Sequence, residues 1–69
     1  MSSEALVRMA NQIAANFGSL PAAEAAAETA DHMQRFWEPR MREGLLRLLE
    51  EESGASLTPV AREAARRLT

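Results

Sequence analysis

Between Ala22 and Trp37 apolar side chains return every three or four positions. Ala22, Ala26, Thr29, Ala30, Met33, Phe36 and Trp37 share one side, and Glu24, Glu28, Asp31, Arg35 and Glu38 the other. That spacing is the period of an α-helix. The apolar side is small at its start and large at its end. A second helix can therefore approach closely along the alanines, while Met33, Phe36 and Trp37 fill the far end. Pro39 then imposes a break. A proline drives the residue before it out of the α region and itself suits the first position of a new helix. The chain is expected to turn at Trp37-Glu38 with two adjacent aromatics at the corner. No stretch alternates in the manner of a strand, so the chain is committed to an all-α fold.

The other helices follow from their own start and stop signals. Ser2 or Ser3 can cap a first helix, with Glu4 favourably placed in its first turn. Leu6, Met9, Ala10, Ile13, Ala14 and Phe17 form its apolar side, and Gly18 is expected to end it as a left-handed residue. Ser19-Leu20-Pro21 restarts the chain, with Pro21 near the first helical position. After Pro39, Met41, Leu45, Leu48 and Leu49 make an apolar face, with Leu46 well off it, either exposed or on a second contact surface. Gly44 inside that helix either permits close packing or is a tolerated weakness. Glu50-Glu51-Glu52 opposes the dipole at a helix C-terminus, so fraying is expected there, and Ser53-Gly54-Ala55-Ser56 reads as a linker. Thr58 and Pro59 then signal a short last helix, with Ala61, Ala64, Ala65 and Leu68 on one side. The expected architecture is one domain, a small three-helix bundle with a short fourth helix. Its helices lie at about 4–17, 21–37, 39–51 and 59–68, with a linker at 52–58. A helix as short as the last must dock on its own bundle or on another chain.

Stability is a severe constraint on 69 residues. Ordering them costs roughly 100 kcal/mol of conformational entropy at about 1.5 kcal/mol each, and so short a chain buries only about 60% of its unfolded surface. With no cysteine, neither a disulfide nor a thiolate–metal staple can help. What remains is tight helix packing or association with another chain. The absence of cysteine fits a reducing compartment, and neither a signal peptide nor a membrane span is legible. The formal charge of −2 argues against general nucleic-acid binding. All eight basic residues are arginine. That reflects either the base composition of the source genome or a use of bidentate contacts at an interface.

Catalytic constellations are not legible. A nucleophile needs a base beside it; only one histidine, His32, is present, and the serines cluster near the termini and in loops. Gly18, Gly44 and Gly54 are too far apart for a phosphate loop. Glu28 and His32 could both reach one ion, but two ligands without a third make a weak site. The residues that invite a binding role are Asn11, Gln12, Phe36, Trp37, Arg40 and Arg42. Neutral amides on an exposed helix are ordinary, yet Asn11 and Gln12 could also bond a partner's backbone. Phe36 reads as a core residue. Trp37 suits internal packing and docking equally, because tryptophan and arginine are both enriched at interface hot spots. Arg40 and Arg42 stand at a helix N-terminus, which disfavours cations and so favours an external carboxylate.

Met9-Ala10-Asn11-Gln12-Ile13-Ala14 and Phe36-Trp37-Glu38-Pro39-Arg40-Met41-Arg42, in that order and at that separation, resemble the delta subunit of the soluble, molybdenum-dependent, NAD-linked formate dehydrogenases. The likeness covers Leu6 to Leu49 well and the remainder loosely. The family more often has Asp where this chain has Glu38. The resemblance implies a non-catalytic accessory subunit of a cytoplasmic complex that oxidises formate to CO2 and reduces NAD+. It implies no cofactor in this chain. The molybdenum bis-molybdopterin guanine dinucleotide centre, iron–sulfur clusters, flavin mononucleotide and NAD site would belong to its partners. The implied role is assembly or stability of the catalytic subunits. The large alpha subunit is the expected docking partner, with neither nucleic acid nor membrane involved. Two other classes remain open: a freestanding helical homo-oligomer, and a DNA-binding regulator using Arg62, Arg66 and Arg67.

Overall fold

Two of the helix starts are set by the same device. Thr58 precedes Pro59, and Glu38 precedes Pro39; each proline occupies the first turn and each preceding residue is extended. Thr58 adds a side-chain cap, its hydroxyl accepting from the Ala61 N–H at 3.3 Å. Ser2 caps the first helix in the same way through Ala5. The computed structural model describes residues 2–68; Met1 and Thr69 lie outside it. It contains α1 (Ser3–Asn16), α2 (Ala22–Phe36), α3 (Pro39–Leu48), a 3-10 turn (Glu52–Ser56) and α4 (Pro59–Arg66), with no strand among the described residues.

The fourth helix is a full member of the bundle. Its most extensive packing is against α2, and α1 also contacts α2, α3 and α4. Small residues make this possible. Ala61, Ala64 and Ala65 of α4, Ala25 and Ala26 of α2 and Ala10 of α1 are essentially solvent-free. Alanine on facing helices lets backbones approach and leaves no void to fill. Bulk is supplied at the other end, where Met33, Leu45 and Leu48 are fully buried beside Trp37. Thr29 is buried too, its hydroxyl donating to the Ala25 carbonyl at 2.7 Å, so no orphaned polar group results.

Several expectations need correction. Phe36 does not share the core face of α2: it is 72% exposed, whereas Trp37 is 6% exposed. The helix ends at Phe36, and Trp37 turns off it in an extended conformation, so helical spacing no longer assigns the face of Trp37. Ala22, also placed on that face, is exposed. Gly18 is not left-handed. Instead α1 unwinds through i→i+3 bonds, with Phe17 donating to Ala14, Gly18 to Ala15 and Leu20 to Phe17. Pro21 is the cap of α2 rather than its first residue.

The third helix stops at Leu48, and the stretch read as a linker contains an ordered 3-10 turn. Gly54 explains the order. It is buried against the end of α3, where a Cβ would lie 2.2 Å from the Leu48 carbonyl oxygen. Only glycine lets the chain pass so close. Gly44 serves the first of its two expected uses, since a Cβ there would come 2.9 Å from Leu6 Cδ1. Leu46 is half-buried against the core rather than free in solvent.

Candidate docking surface

The corner between α2 and α3 is built by Trp37 and Arg42 together. Trp37 sits in the core, and its backbone N–H closes α2 by donating to the Met33 carbonyl at 2.9 Å. The Arg42 guanidinium folds back from α3 and donates to the Trp37 carbonyl, with a longer contact to the Gln34 carbonyl at 3.5 Å. Those are carbonyls at the C-terminal end of α2, which favours a cation. The placement of Arg42 at the start of α3 therefore has an internal reason. A buried indole and a guanidinium clamp hold the turn, and Phe36 is the residue that this turn presents to solvent. The His32 ring, one helical turn back, lies against it with ring centroids 4.9 Å apart at 46°. Arg35 is engaged by Asp31 at 3.1 Å, whereas exposed Arg40 forms no ion pair with any described residue.

The two amides part company. Asn11 Nδ2 donates to the Ser56 carbonyl at 3.0 Å, and its Oδ1 accepts from the Thr58 N–H at 2.9 Å. One side chain of α1 thus ties the end of the 3-10 turn to the start of α4, across more than forty residues of sequence. Gln12 is exposed, with no hydrogen bond to any described residue. Of the six residues read as binding candidates, the fold brings Phe36, Trp37, Arg40 and Arg42 to one corner. Asn11 and Gln12 stand elsewhere, on the side of α1 that faces the 3-10 turn. Sequence reasoning missed Gly54 and the linking role of Asn11. Neither had a local signal, because the groups they touch are remote in sequence or belong to the backbone.

No group of three or more potential metal ligands occurs among the described residues, and Glu28 and His32 are joined by no third. The arginines of the DNA-binding alternative are engaged within the fold. Arg62 donates to the Gly54 carbonyl at 2.6 Å, and Arg66 and Arg67 lie 3.6 and 3.8 Å from Glu63. No helix among the described residues is long and apolar enough to cross a membrane.

These features define a small all-α protein whose distinctive surface is a rigid aromatic corner. The family model of the NADH-dependent formate dehydrogenase delta subunit FdsD matches residues 5–65, which is nearly the whole chain, and the chain belongs to that family. No curated protein and no solved structure matches it.

Proposed function

We propose that the chain is a non-catalytic accessory subunit of a cytoplasmic, NAD-dependent formate dehydrogenase, supporting assembly or stability of the catalytic subunits by docking on the large alpha subunit. The family assignment supplies the enzyme. The observation that carries the docking is Phe36, a large aromatic held in solvent by a turn that is itself fixed from inside. A pre-set aromatic loses little freedom on binding, which is what an interface anchor requires. Arg40 supplies an uncommitted cation on the adjoining turn, suited to a carboxylate at the rim of the partner's pocket. Trp37 and Arg42 contribute by fixing the corner. In this reading molybdenum cofactor, iron–sulfur clusters, flavin mononucleotide and NAD are held by the partner subunits and none by this chain.

Burying an exposed phenylalanine contributes about 2 kcal/mol, so Phe36→Ala should weaken association about 30-fold. The test is co-purification and titration of the variant against the catalytic subunits. The variant should unfold at the wild-type temperature, because Phe36 adds little to the core. Unchanged association would remove Phe36 from the interface. Concentration-dependent sedimentation of the isolated chain, abolished by the same substitution, would instead favour a homo-oligomer.

A further inference from the structure

The turn fixes the backbone of Phe36 but not its side chain, which has little core to rest on. Side chains on an α-helix tilt toward its N-terminus and lean on the residues three and four positions back. For Phe36 these are Met33 and His32. Met33 is fully buried, so half-buried His32 is the neighbour left on the surface beside the exposed ring. The two rings meet at 4.9 Å between centroids, tilted by 46°, inside the contact range of aromatic pairs. No other described residue gives His32 a ring contact, a hydrogen bond or an ion pair. Asp31 and Arg35, on the adjoining line of the helix, are held to each other at 3.1 Å, which leaves the imidazole to the phenyl ring.

We propose that His32 is a positioning residue for docking: its ring holds Phe36 over the last turn of α2 in one arrangement, so the anchor meets the catalytic subunit with its side chain already ordered. The inference rests on the docking reading above and concerns the same site. It adds that the imidazole acts through Phe36 and not by touching the partner. An exposed phenylalanine without such a brace divides its population among staggered wells. Only the fraction in the competent well binds, and apparent affinity falls in proportion to that fraction. The brace therefore raises affinity without adding a contact across the interface.

His32→Ala frees the ring. With about a third of the population left in the competent well, affinity for the catalytic subunits should fall about threefold. His32→Phe keeps a ring at the same place and should bind as the wild type does. The side-chain arrangement is read separately, in the isolated full chain, from the three-bond couplings of Phe36 Cγ to its backbone nitrogen and carbonyl carbon. One well is expected in the wild type and in His32→Phe, and averaged couplings in His32→Ala. Identical couplings in the wild type and His32→Ala overturn the inference whatever the affinities. A double-mutant cycle with Phe36→Ala completes the test. In that background His32→Ala should cost nothing more, and a further loss would put His32 on the partner directly and overturn the inference. Weakened binding of Phe36→Ala with unchanged binding of His32→Ala overturns the inference alone; unchanged binding of Phe36→Ala overturns the docking reading and the inference with it.

Discussion

Asn11→Ala removes the side chain whose hydrogen bonds tie α1 to the 3-10 turn and the start of α4. The substitution removes a donor to the Ser56 carbonyl and an acceptor for the Thr58 N–H. Each bond contributes about 0.5–1.5 kcal/mol net. Ser56 and Thr58 are exposed, so water can replace part of what is lost. The expected cost is therefore about 1–2 kcal/mol, against a total of roughly 3–10 kcal/mol for a chain of this length. In a domain this small that lowers the unfolding temperature by about 5–15 °C. The assay is thermal and urea unfolding of the isolated chain followed by far-ultraviolet circular dichroism. Asn11→Asp sharpens the test. A carboxylate keeps the acceptor for Thr58 and lies near the N-terminus of α4, where negative charge is favoured, but loses the donor to Ser56. It should fall between the wild type and Asn11→Ala. An alanine variant as stable as the wild type, or an aspartate variant less stable than alanine, would refute the linking role. A variant that keeps its stability but loses the partner would assign Asn11 to the interface instead.

Three further outcomes follow from the packing. Gly54→Ala must push the 3-10 turn off the Leu48 carbonyl, since the clash is with backbone and no side chain can yield; a loss of about 2 kcal/mol or more is expected in urea unfolding. Met33→Ala empties the centre of the core and should cost about 2–5 kcal/mol, whereas the same truncation at Phe36 should cost less than about 0.5 kcal/mol. Arg42→Met keeps much of the side-chain bulk but leaves the α2 C-terminal carbonyls without their cation. A stability loss of about 1–2 kcal/mol should accompany any loss of docking, and docking lost with stability intact would show that Arg42 meets the partner directly.

What could be read from the residues was whatever is governed by neighbours in sequence. Pro39, Thr58 and Pro59 set helix starts through local geometry, and the alanine face of α2 followed from the helical period. The two aromatics show where that period stops being informative. Phe36 and Trp37 are adjacent, and both fit a core face if the helix continues. It does not: α2 ends at Phe36, which stays exposed, and the extended backbone at Trp37 leaves that side chain in the core. Arg42 was legible as a cation at the start of α3, but not as one lying over the end of α2, because that depends on how the two helices fold back on each other. Gly54 looked like flexible linker because composition cannot distinguish a glycine that moves from one that must fit. The Asn11 contact was out of reach for the same reason: its two partners acquire meaning only once α4 has docked.

The seating of α4 among the alanines also sets an order of events during folding. The surface of α2 that it covers is complete once Ala30 has been made, yet the residues that close it, Ala61, Ala64 and Ala65, are about thirty positions away. A ribosome-bound polypeptide halted at Ser56 would hold helices that can flicker into place but no finished interior. The entropy of closing that long loop has to be met before the contact returns anything. Cooperative collapse therefore waits on the final small helix, and a premature stop in this stretch should yield a species bound by chaperones rather than a shortened bundle.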